Sequence, residues 1–68
     1  MYMTISVNNK QTNIQDAISL ENLLASINIS PKGIAIALND MVISKKNWKS
    51  TFLKEQDEVT IIQATQGG

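Results

Sequence analysis

A chain of 68 residues has room for one small domain with a marginal apolar core. Six lysines balance six carboxylates at zero formal net charge, which removes a general electrostatic grip on nucleic acid or an anionic membrane. Arginine, histidine and cysteine are all absent, so there is no bidentate reader of phosphates and guanines, no disulfide, and no thiol or imidazole chemistry. An enzyme built from what remains would need a carboxylate or lysine site in a deep cleft, which a domain of this size rarely forms. The composition points to a protein that is acted upon, with no cofactor or metal of its own. Met1-Tyr2-Met3-Thr4 carries no basic leader, and no apolar run approaches the roughly 18 residues of a membrane helix. The expectation is a cytoplasmic protein.

Met1, Met3, Ile5 and Val7 alternate with Tyr2, Thr4 and Ser6, the period of a strand with one buried face. Asn8-Asn9-Lys10 reads as a tight turn, since asparagine tolerates the left-handed backbone of hairpin loops. Gln11 to Ile14 is then the return strand. Ser19 precedes Leu20, Leu23, Leu24 and Ile27 at i, i+3, i+4 and i+7. This predicts a serine-capped helix with a single apolar stripe. Pro31 and Gly33 are expected to end that segment and start the next.

Ile34, Ile36 and Leu38 alternate with Ala35 and Ala37, a second strong strand whose other face is flat and small. Asn39-Asp40 turns into a brief strand, Met41-Val42-Ile43. Ser44 is placed to cap a helical turn over Lys45 to Lys49, with Trp48 folded onto the core edge. Phe52 and Leu53 lead to the polar turn Lys54-Glu55-Gln56-Asp57 and a last strand from Glu58 to Ala64. Alternation sends Val59 and Ile61 inward and Ile62 outward, where it is either exposed or covered by Phe52 or Trp48. The order fits an α+β fold with one helix across a mixed sheet and the first and last strands adjacent in its centre, the β-grasp or ubiquitin-like architecture. Residues 1–64 make the single domain and 65–68 a tail.

That tail ends on Gly67-Gly68. Glycine carries an entropic cost and adds nothing to a core, so two of them beyond the last packable residue are either a frayed end or a thin peptide with an unhindered carboxylate. Thr65, Gln66, Gly67 and Gly68, extended, reach roughly 13 Å, enough to thread a narrow channel in another protein.

Ile36-Ala37-Leu38-Asn39, Met41-Val42-Ile43, Trp48, Asp57-Glu58-Val59 and the terminal Gly67-Gly68 together resemble the ThiS-type sulfur carrier proteins of thiamine biosynthesis. The first half matches in pattern and length more than in residues. Ser44 stands where that family often has proline, and Gln56 where a turn glycine is common. The resemblance implies that the Gly68 carboxylate, ionised at neutral pH, is adenylated by a ThiF-like enzyme that supplies the catalytic residues and uses ATP and Mg²⁺. The adenylate then becomes a thiocarboxylate, with a sulfur donor such as a cysteine desulfurase. That species passes its sulfur to the thiazole ring on a ThiG-like thiazole synthase. The carrier is expected to be a monomer when alone, and Ala35, Ala37, Ile62 and Ala64 are placed to form a docking patch near the tail root if Ile62 is left uncovered.

Two other readings share these residues. A molybdopterin-synthase small subunit would use the same Gly68 chemistry, although Trp48 and the lack of proline before Gly67 favour the thiamine branch. A ubiquitin-like modifier would instead form an isopeptide bond. Lys45, Lys46 and Lys49 read as solvated charges. Asp57 and Glu58, sent to opposite faces, read as solvated rather than metal-binding, and the three methionines as packing.

Overall fold

The computed structural model describes residues 2–63. Strand β1 (Tyr2–Val7) pairs antiparallel with β2 (Lys10–Gln15) in the register Val7↔Lys10 to Tyr2↔Gln15. The two residues left between them, Asn8 and Asn9, have φ of 51° and 67°, the left-handed pair that a type I′ hairpin loop needs to match strand twist. Strands β3 (Ile34–Leu38) and β4 (Met41–Ile43) repeat this construction, with Leu38↔Met41 as the closing pair and Asn39 and Asp40 at φ 51° and 69°. Strand β5 (Glu58–Gln63) lies between the hairpins, parallel to β1 and antiparallel to β3. The sheet order is β2-β1-β5-β3-β4, with first and last strands adjacent as expected.

Helix α1 (Leu20–Ser26) begins where the Ser19 hydroxyl accepts a hydrogen bond from the Asn22 amide at 3.2 Å, satisfying one of the free first-turn donors. Its end differs from expectation. Asn28, at φ 61°, stops the helix three residues before Pro31. The Asn28 amide donates to the Ala25 carbonyl and the Ile29 amide to the Leu24 carbonyl, the paired bonds of a Schellman cap. Leu20, Leu23 and Leu24 are buried against the sheet face formed by Met3, Ile5, Ile14, Ile36, Val59 and Ile61. Each such leucine contributes about 1.5–3 kcal/mol by leaving water.

After β4 a 3-10 helix spans Lys45–Ser50. Ser44 does not cap it through its side chain; its backbone carbonyl accepts from the Asn47 amide at 2.8 Å. Trp48 is buried, and its indole Nε1–H donates to the Ile43 carbonyl at 2.9 Å, tying the 3-10 turn to the end of β4. Of the methionines on the described residues, Met3 packs in the core, whereas Met41 is exposed.

The turn before β5 also departs from expectation. Asp57 is 7 % exposed rather than solvated. Its carboxylate accepts from the Lys54 amide at 2.8 Å and from Asn39 Nδ2 at 3.1 Å, and such bonds are what make a buried carboxylate tolerable. Gln56 adopts φ 69°.

Candidate functional site

Strand β5, the last described element, sets which side chains near the C-terminal end share each face of the sheet. Its buried residues Val59 and Ile61 face α1, and Glu58, Thr60 and Ile62 take the other face. There the register sets Ile62 opposite Ala35, and Thr60 opposite Ala37. Ala37 in turn faces Val42 on β4. Ile62 is 53 % exposed, so neither Phe52 nor Trp48 covers it. Ala35 is exposed too, while Ala37 is buried between two larger register partners, Val42 and Thr60. The outer face thus has a low alanine floor edged by Ile62 and Val42, in a sheet whose opposite face is the core.

Val42 is 71 % exposed and belongs to this surface, a residue the sequence reading left out. The signal for it was present: a two-residue Asn39-Asp40 loop forces Leu38 to pair with Met41 and hence Ala37 with Val42. Ala64, Thr65, Gln66, Gly67 and Gly68, the remaining expected site residues, lie outside the described residues.

Two side chains hold β5 in place. The parallel ladder with β1 runs through the Ser6 amide to the Asp57 carbonyl and the Asn8 amide to the Val59 carbonyl, both at 2.9 Å. The next rung would need the Asn8 carbonyl, but there the chain turns left-handed into the hairpin loop. Asn8 Oδ1 takes over, accepting from the Ile61 amide at 2.7 Å. On the other side Asn39 donates its amide to the Glu58 carbonyl at 2.8 Å and accepts the Glu58 amide on Oδ1 at 2.9 Å. Both asparagines therefore replace a backbone carbonyl with a side-chain one.

Away from this face, a concavity of about 540 Å³ opens between the end of β2 and α1. Its lining includes Gln15, Ile18, Asn22 and Ser26, with Asp16 its only ionisable side chain, so it offers no acid–base pair. Among the described residues no cluster of three or more potential metal ligands occurs. No helix there is long and apolar enough to cross a membrane.

The fold is that of a crystal structure of the thiamine biosynthesis protein ThiS from Geobacter metallireducens. The TM-score is 0.85 at 22 % identity, covering 97 % of this chain and all of that one. A solution structure of a thiamine biosynthesis protein from the same organism matches with a TM-score of 0.78 at 22 % identity, over 97 % of this chain and 88 % of the other. The mixed five-stranded sheet with one helix is thus the β-grasp arrangement read from the sequence. The uncharacterized protein ycf40 of Pyropia yezoensis is 30 % identical over 66 residues, 97 % of this chain and 93 % of that protein. A thiazole synthase of Magnetococcus marinus is 27 % identical over 66 residues, 97 % of this chain but only 20 % of that longer protein. The ThiS family model matches residues 2–68. The chain belongs to the ThiS family, the non-catalytic sulfur carriers of thiamine biosynthesis.

Proposed function

We propose that this carrier acts through the carboxylate of Gly68, activated and converted to a thiocarboxylate by partner enzymes. The observation that carries the reading is the family match, which runs through residue 68 and so includes Gly67-Gly68. A carboxylate oxygen of Gly68 attacks the α-phosphate of ATP; the bond from that phosphorus to pyrophosphate breaks, leaving an acyl-adenylate. A sulfide equivalent, released when a thiol reductant cleaves the persulfide of a donor such as a cysteine desulfurase, then adds to the activated carbonyl. The carbon–oxygen bond breaks, AMP departs, and the thiocarboxylate remains. Mg²⁺, ATP and the catalytic side chains belong to the ThiF-like adenylating enzyme, and this chain supplies the nucleophile and the surface by which it is held.

Thiazole synthase is the proposed acceptor. Support comes from the Magnetococcus marinus relative of that name, in which a stretch similar to this chain makes up a fifth of the length. The proposed handle for the partners is the outer face with Ile62, Ala35, Ala37 and Val42. Ile62, Ala35 and Val42, exposed around the buried Ala37 on one face beside the end of β5, suit docking.

The test is intact mass spectrometry after incubation with an adenylating enzyme, Mg-ATP and a sulfur source. The expected product has one oxygen replaced by sulfur at the C-terminus, and deletion of Gly68 abolishes it. An unchanged mass, with an enzyme that modifies another carrier under the same conditions, would overturn the reading.

A further inference from the structure

We infer that Asn8 is a positioning residue for the carrier reaction: its side chain holds the exit end of β5, and with it the Ile62 docking face, in the geometry the adenylating partner binds. This rests on the function proposed above. The observation is the substituted rung. Without Asn8 Oδ1, the last bond from β1 to β5 is the one to the Val59 carbonyl. Ile61, Ile62 and Gln63 would then be held by β3 alone, through the pairs at Ile36, Ala35 and Ile34. Asn8 itself is exposed and lies in a hairpin loop away from the core, so packing does not explain it. What its oxygen secures is the amide of Ile61, next to Ile62 and seven residues before Gly68.

A loosened strand end would have to be ordered again on docking, at the expense of affinity, whereas the bound complex would be the same. The signature is therefore a raised KM for the carrier with kcat unchanged. Asn8→Gly is the informative variant: glycine accepts the left-handed backbone but brings no acceptor. Asn8→Asp keeps an acceptor oxygen on a residue that also tolerates this backbone. Asn9→Gly, in the same loop at φ 67°, controls for glycine in the turn.

Two readouts test the inference on the full chain. In amide hydrogen exchange, Asn8→Gly is expected to speed exchange at Ile61 by about fivefold or more, with Asn8→Asp and Asn9→Gly near the wild type. In pyrophosphate exchange with the adenylating enzyme, Asn8→Gly is expected to raise the carrier KM about fivefold at constant kcat, rescued by Asn8→Asp. If the wild type turns over and Asn8→Gly has its KM, or if Asn8→Asp fails to rescue, the positioning role is overturned while the carrier reading stands. Absence of turnover by the wild type overturns both.

Discussion

Asn8 and Asn39 occupy the same position in two different hairpins, each at φ 51°. Each sends Oδ1 to an amide of β5, Asn8 to Ile61 at 2.7 Å and Asn39 to Glu58 at 2.9 Å. A strand between two hairpins is thus gripped from both sides, near its start by one loop and near its exit by the other. The geometry follows from chemistry: the first residue of a type I′ loop turns its own carbonyl away from the ladder, and asparagine combines tolerance of that backbone with an acceptor of the right reach.

The Asn39 clamp predicts a stability loss. Asn39→Gly keeps the backbone but removes the Oδ1 bond to Glu58 and the Nδ2 bond to Asp57, at a cost of about 1–2 kcal/mol. Asn39→Ala adds the left-handed penalty, about 1 kcal/mol more. Denaturant unfolding of both measures this, and equal midpoints for Asn39→Gly and wild type would contradict it.

Legibility divides by sequence distance. The Ser19 cap and the Leu20, Leu23, Leu24 stripe were readable because every partner lies within a turn or two. Strand alternation likewise placed Val59 and Ile61 inward and Ile62 outward. The asparagine clamps were not readable, because Asn8 meets Ile61 from 53 residues away and Asn39 meets Glu58 from 19; the sequence shows only two turns beginning with Asn. Asp57 was misread as solvated for the same reason, since one of its partners is Asn39. Ser44 failed differently: a residue type suited to capping preceded a turn of 3-10 geometry that uses its carbonyl instead. Of the candidate site, Ile62 and Ala35 were legible from alternation, and Val42 needed the hairpin register.

Two positions are occupied against backbone preference. Gln56 and Ala17 sit at φ 69° and 61°, where a non-glycine residue costs about 1–2 kcal/mol and glycine's extra unfolded entropy offsets about 0.5–1. Gln56→Gly and Ala17→Gly are each expected to stabilise by about 0.5–1 kcal/mol, visible as raised unfolding midpoints. A lower midpoint for either would show that the original side chain makes compensating interactions.

Trp48 links the 3-10 turn to β4. Trp48→Phe keeps a ring but loses the Nε1–H bond to the Ile43 carbonyl and part of the buried volume, so about 2 kcal/mol of stability is expected to go. Thermal unfolding of the variant checks this, and an unchanged transition would mean that the bond is replaced by water without cost.

Gly68→Val tests the steric demand of the proposed chemistry apart from the fold. A branched side chain at the reacting residue crowds the carbonyl and narrows the backbone angles available in a confined channel. The variant is expected to fold as the wild type by circular dichroism and to lose pyrophosphate exchange with the adenylating enzyme. Full exchange would remove the steric argument.

Ile62→Asp separates docking from folding. The side chain is 53 % exposed on the face away from the core, so its replacement should change stability by about 1 kcal/mol or less, within the range of strand propensity. On a docked surface the same change removes apolar contact and asks a carboxylate to leave water. Affinity for the adenylating partner should then fall about tenfold or more. Val42→Asp on the neighbouring strand should act in the same direction if the partner covers the β4 side of the face, and leave affinity unchanged if contact is confined to β5. Binding measured by calorimetry distinguishes these. A folded Ile62→Asp variant with wild-type affinity would move the docking surface elsewhere, leaving the Gly68 chemistry untouched.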